Sequence, residues 1–140
     1  MKRAEIINAW RSFVGVRNLW QGRNPSVGLD CAGVLFCANQ LLGYAPDVDA
    51  NEPYNTPEQT RILDRLLAEH WDEIAKDETQ PGDLYLFHMP RRWQSHIALL
   101  SKAPDWLIHV YETVDAVVEH PLDIWLPYVV RAYRYRGLED

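Results

Sequence analysis

The spacing of apolar residues changes period at Pro81-Gly82, and that change limits the chain to a fold in which helices come before a sheet. Ahead of it, Ile6, Trp10, Phe13 and Val14 recur at helical spacing and predict a first amphipathic helix over residues 2–15. A polar loop follows from Arg17 to Asp30, marked by Gly22, Asn24-Pro25, Ser26 and Gly28. A second helix is expected from Cys31 to about Leu42, stopped by Gly43, and its many apolar residues make it central. After an acidic loop over residues 44–55, Thr56-Pro57-Glu58-Gln59 reads as a capped helix start. Ile62, Leu63, Leu66, Leu67, Trp71 and Ile74 carry that third helix to about Lys76. Beyond the Pro81-Gly82 turn the runs shorten to strands: Asp83 to Phe87, His96 to Ser101, Trp106 to Glu112, Val114 to His120 and Val129 to Arg136. Helices followed by hairpin-linked strands make an α+β fold, with residues 1–140 as a single domain.

The chain's 140 residues are enough to bury a core, and 47% are hydrophobic against 24% charged. A net charge of −6 argues against non-specific nucleic-acid binding, which draws its affinity from counterion release by a basic surface. No run approaches the roughly 20 apolar residues of a membrane span, so no membrane partner is expected. Glu5, Asn8 and Arg11 break up any signal-peptide core behind Lys2 and Arg3. Cys31 and Cys37 are too few for a disulfide scaffold and point to different faces of one helix. Without a ligand set of metal-site spacing, neither a metal nor another cofactor is expected.

A cysteine at a helix start has a particular chemistry. The unpaired N–H groups and the helix dipole there stabilise anions, which is expected to lower the thiol pKa and favour the thiolate. The same N–H groups can donate to the oxyanion of a tetrahedral intermediate. Gly28 and Gly33 flank Cys31 and permit a sharp turn and a close approach. Among the five histidines, His96 and His109 fall on consecutive strands. Their numbers sum to an odd value, so an even hairpin loop puts both side chains on one sheet face, opposite or one diagonal apart. Two adjacent imidazoles make a base and its orienting partner, the remainder of a Cys-His-His triad.

Taken together, Trp20-Gln21-Gly22-Arg23, Gly28-Leu29-Asp30-Cys31-Ala32-Gly33, Pro81-Gly82-Asp83-Leu84, Ser95-His96-Ile97-Ala98 and Ile108-His109 resemble the NlpC-type cell-wall cysteine peptidases, most closely the phage tail and prophage branch. The resemblance runs over nearly the whole chain. It implies a circularly rearranged papain-like fold and hydrolysis of a stem-peptide amide bond in peptidoglycan. In those terms Cys31 is the nucleophile, His96 the general base and His109 its orienter. Asp30 matches a position that meets a free amine of the stem peptide in some members, and otherwise supports the helix N-terminus. Ala32 stands where many members have serine, and Asn18 about where many have tyrosine. Asn18 or Gln21 is a candidate side-chain donor to the oxyanion, and Trp20 a candidate groove wall.

The implied setting is a virion tail, with tail-tip proteins as partners and the stem peptide as substrate, made in the cytoplasm and acting in the cell wall. Two other readings stay open: a tail-tip assembly subunit of low activity, and an amidase or acyltransferase using the same triad. Arg23, Arg91 and Arg92 are candidates to meet substrate carboxylates, and Trp93 to line the groove, though core packing and solvated charge explain them as well. Cys37, His70, His88 and His120 are assigned to structure or surface.

Overall fold

The computed structural model describes residues 1–43, 61–90 and 95–139. The helix start at Thr56-Pro57, the acidic loop, and Arg91, Arg92 and Trp93 lie outside the described residues. In chain order the elements are α1 (Arg3–Arg11), a small hairpin of β1 (Arg23–Asn24) and β2 (Gly28–Leu29), α2 (Cys31–Leu41), α3 (Arg61–His70), β3 (Trp71–Ile74), β4 (Leu84–His88), β5 (Ser95–Lys102), β6 (Trp106–Tyr111), β7 (Ala116–Pro121) and β8 (Val129–Tyr135). Short 3₁₀ turns lie at Lys76–Glu78 and Asp123–Tyr128. Among the described residues the main sheet has six antiparallel strands in the order β3-β8-β4-β5-β6-β7. The α+β expectation is met.

Alternation along the strands divides the apolar residues into two layers. One face packs against the helices, where Leu84, Leu86, Ile97, Leu99, Ile108 and Val110 meet Ile6, Trp10, Val34, Leu35 and Leu66. The opposite face carries Tyr85, Phe87, Ala98, Leu100 and Leu107, covered by Leu122, Trp125 and Leu126 from the second 3₁₀ turn and its approach. α2 is buried over Ala32 to Asn39, which explains its nearly unbroken apolar run.

Two expected helices are shorter than their periodicity implies. α1 ends at Arg11, and the chain then turns through Gly15 at φ +97°. That turn lets Gly15 N–H donate to the Val117 carbonyl, so the segment docks on β7 instead of adding helical turns. Phe13 remains buried while Val14 is exposed. α3 stops at His70, and Trp71 to Ile74 form a strand, not the last turn of a helix. Leu67 and Trp71 satisfy a helical i, i+4 spacing, but Trp71, Asp72, Glu73 and Ile74 pair residue by residue with β8. Trp71 also meets Tyr135 edge to face at 5.5 Å. Ladder hydrogen bonds along β8 outweigh a short extension of the helix.

Asp83, in the Pro81-Gly82 turn, is fully buried and ties the two halves together. Its carboxylate accepts from Arg3 of α1 at 3.0 Å, from Arg134 of β8 at 2.8 Å and from the backbone N–H of Gln80 at 2.9 Å. A buried carboxylate needs such a full set of partners.

Candidate active site

Asp30 is the N-cap of α2, and both carboxylate oxygens are engaged by backbone. Oδ1 accepts from Gly33 N–H at 2.9 Å and Oδ2 from Gln21 N–H at 2.9 Å. The first contact satisfies an orphan donor of the helix end, and the second pulls the preceding loop onto it. Gly33 makes the docking possible: a Cβ there would overlap the Gly22 carbonyl oxygen. The close approach that Gly33 permits is therefore to the protein's own loop. Gln21 takes the left-handed conformation, φ 59°, uncommon for a residue with a side chain. Its bond to Asp30 holds it there.

This arrangement places Cys31 at the first position of α2, half-buried, with Sγ 3.9 Å from the Ser95 carbonyl at the start of β5. The neighbouring residue on that strand is His96. Cys31 and His96 line one cavity of about 610 Å³ together with Asn18, Trp20, Asp30, Tyr111, Glu112 and Trp125. Of the four residues expected to contact substrate, Asn18, Trp20 and Asp30 reach this cavity. Gln21 is absent from its lining and contributes backbone to the Asp30 cap.

His96 and His109 project from the sheet face opposite the helices. His96 Nε2 lies 2.8 Å from His109 Nδ1. The β5–β6 connection, Ala103 to Asp105, has an odd number of residues, contrary to the even loop assumed from sequence. A register shift between Leu100 and Lys102 restores the parity, so His96 sits one diagonal from His109. The contact does not end there. His109 Nε2 lies 2.9 Å from Nε2 of His120 on β7. His120, assigned from sequence to structure or surface, is hydrogen bonded to the buried His109. The parity rule applied to the next hairpin would have found it, since 109 and 120 also sum to an odd value. Trp125 from the second 3₁₀ turn stands edge-on to His96 and His109, each ring centroid 5.2 Å away, and no sequence signal marked it.

The electrostatics depart from expectation at Cys31. Burial pushes the Cys31 thiol up to about 12, with the Asp30 carboxylate adding to the rise, whereas the N–H groups of Ile97, Ala32 and Cys31 act in the opposite direction. The helix terminus does favour the anion, as reasoned from sequence, but desolvation is larger. Burial also drives His109 down to about 2, reinforced by repulsion from His96 and His120, so it is neutral at physiological pH. Burial lowers His120 as well. Cys37 is a core residue: its Sγ meets the Arg23 carbonyl at 3.2 Å, and burial pushes its thiol up to about 11. His88 ends β4 with its side chain exposed, and His70 closes α3 beside Glu69 at 3.6 Å. Neither lines the Cys31 cavity.

The chain superposes on the NlpC/p60 domain of the peptidoglycan hydrolase SagA at 17% identity and TM-score 0.66, over 94% of this chain and 97% of that one. It matches an NlpC/p60 family protein from Bacillus cereus at 20% identity and TM-score 0.68, over 98% of this chain and 41% of that one. NlpC2 from Trichomonas vaginalis matches at 19% identity and TM-score 0.66, over 96% of this chain and 46% of that one. The chain thus equals the SagA domain in extent but spans less than half of the other two. No protein-family model and no curated protein matches it. These likenesses establish that the chain has the papain-like NlpC/p60 fold.

Proposed function

We propose that the chain is a cysteine peptidase domain that cleaves stem-peptide amide bonds of peptidoglycan. The observation that carries this is the convergence of Cys31, at a capped helix N-terminus, and His96 on one cavity, with the far nitrogen of His96 bonded to His109. The solved neighbours with this fold, one of them a domain of a peptidoglycan hydrolase, support the substrate class.

The raised thiol makes the resting nucleophile a neutral S–H, not a standing thiolate. His96 Nε2 is committed to His109, which leaves Nδ1 to take the Cys31 proton as Sγ attacks the scissile carbonyl carbon. Backbone N–H groups at the start of α2 receive the developing oxyanion, with Asn18 as the side-chain donor that reaches the cavity. The imidazolium then gives its proton to the leaving amine, and a water activated by the same ring hydrolyses the thioester. His109, held neutral by burial, orients His96. Asp30 and Glu112 put acidic groups on the cavity wall, which suits a substrate with a free amine, and Trp20 supplies an exposed apolar surface.

A role in a phage tail, with tail-tip proteins as partners and the cell wall as the place of action, is part of the same proposal and rests on the motif resemblance alone. A catalytically weak assembly subunit is the second reading, favoured by the raised thiol and by Ala32 beside it. Purified protein and Cys31→Ala applied to sacculi separate the two. The peptidase reading expects release of new amino groups to fall at least about 100-fold in the variant, with mass spectrometry of the muropeptides naming the bond cut. Equal release by both proteins would overturn it.

A further inference from the structure

We propose that His120 is a positioning residue, the end of an imidazole chain that sets whether Nδ1 of His96, the nitrogen not bonded to His109, carries a proton or the lone pair a base toward Cys31 needs. The inference rests on the peptidase reading for its consequence, but its geometry is independent of the substrate. His96 Nε2 meets His109 Nδ1 at 2.8 Å, and His109 Nε2 meets His120 Nε2 at 2.9 Å. A neutral imidazole has one N–H and one lone pair, so each N···N contact needs a donor on one side and an acceptor on the other.

Two proton arrangements satisfy both contacts. In the first, His96 Nε2–H donates to His109 Nδ1, His109 Nε2–H donates to His120 Nε2, and His120 keeps its proton on Nδ1. His96 Nδ1 then carries a lone pair and can accept from Cys31. In the second, every proton is reversed: His120 donates to His109, His109 Nδ1–H donates to His96 Nε2, and His96 carries its proton on Nδ1. That His96 cannot act as a base toward Cys31. Protonating His120 puts hydrogen on both of its nitrogens and enforces the second arrangement. A single proton on β7 is thereby transmitted through the buried His109 to the catalytic ring.

The surroundings of His120 leave the first arrangement open at neutral pH, since only a protonated His120 forbids it. Among the described residues, the titratable groups in contact with its ring are the His109 imidazole and the Tyr111 phenol, both on β6, with the Tyr111 ring centroid 4.7 Å away. Trp125 from the 3₁₀ turn covers His109 and Tyr111 with a side chain that does not titrate. Glu119, the preceding residue on β7, is bound by Arg11 of α1 at 2.7 and 2.8 Å. Burial, the sole cause of its shift, holds His120 below the usual histidine range, so His120 is neutral near pH 7 and protonates only in acid.

The test is nitrogen-15 NMR of the histidine rings in the whole chain, combined with pH profiles of peptidase activity. The wild type is expected to show His96 and His109 as Nε2–H tautomers and His120 as Nδ1–H at neutral pH. On acidification His96 should convert to Nδ1–H in step with protonation of His120. His120→Gln keeps an acceptor within reach of His109 and cannot be protonated in this range. It should retain neutral-pH kcat within about threefold and lose one proton from the acid limb. His120→Phe removes the acceptor; it should lower kcat about tenfold with KM little changed and abolish the Nε2–H preference of His109. Unchanged His96 and His109 tautomers in His120→Phe, or a wild-type acid limb in His120→Gln, would overturn the proposal. If the wild type cleaves no peptidoglycan, the functional reading fails while the tautomer spectra still decide this one.

Discussion

A thiol pushed up to about 12 by burial, as Cys31 is, needs a neighbouring base to react, because almost none of it is thiolate at neutral pH. Cys37, raised to about 11 by burial and set in the core, lacks a cavity-facing imidazole. The contrast gives a prediction for the two residues alone. Iodoacetamide near pH 7 is expected to label Cys31 before Cys37, and His96→Ala should slow Cys31 labelling about tenfold or more without changing Cys37. Peptide mapping after timed quenching reads both rates in one sample. Labelling of Cys31 at a rate indifferent to His96 would remove the base from the mechanism. At this scale motif and strand parity singled out Cys31, His96 and His109, and the structure puts Cys31 and His96 on one cavity with His109 bonded to His96. Desolvation was illegible, because it depends on what β5 and the loop before α2 press against the sulfur. The contact of His120 with His109 escaped for a different reason: the parity argument was stopped one hairpin too early.

The element that holds Cys31 is α2, and its N-terminus is built as much by the loop from Arg17 to Asp30 as by the helix. Leu29 N–H donates to the Arg17 carbonyl at 3.0 Å, Leu19 N–H to the Leu29 carbonyl at 3.2 Å, and Asp30 N–H to the Gly22 carbonyl at 3.3 Å. Gly33→Ala sets two effects against each other. Alanine is favoured over glycine inside a helix by roughly 1 kcal/mol. Against that, its Cβ would overlap the Gly22 carbonyl oxygen, a rigid backbone atom. Overpacking of this kind costs about 1–3 kcal/mol, and the loop carrying Asn18 and Trp20 has to move. Net destabilisation is therefore expected in urea melts, with KM rising as the cavity wall shifts. A variant as stable as wild type would show that the loop is not seated on α2. Element types were mostly readable because burial follows period, as in α2 and the central strands β4 to β6. β3 was not, since Trp71 and Ile74 satisfy a helical stripe and only pairing with β8, some sixty residues away in sequence, makes them a strand.

For the whole molecule, the imidazole chain ties stability to pH. His109 is fully buried between β5, β7 and Trp125, and its folded pKa lies near 2 instead of the usual 6.5. Between those values the unfolded chain binds a proton at this position and the folded protein does not. Stability must therefore fall as pH is lowered through this interval, and the contribution is fully present only above about 6.5. One such group gives a slope of about 1.4 kcal/mol per pH unit, so acidifying from pH 6 to pH 4 should cost roughly 2–3 kcal/mol from His109 alone. Carboxylates such as Asp83 also contribute in acid, which makes the absolute curve an insufficient measurement. The difference between wild type and His109→Asn isolates the imidazole: Asn keeps polar atoms beside His96 and does not titrate. Urea unfolding of both proteins at half-unit steps from pH 7 to pH 4 is expected to give a shallower fall for the variant by about one proton. Parallel curves would mean that the folded protein takes up a proton at His109, and this imidazole would then be cationic in acid, not excluded from water. The same interior that keeps His109 neutral beside His96 is what makes the fold intolerant of acid.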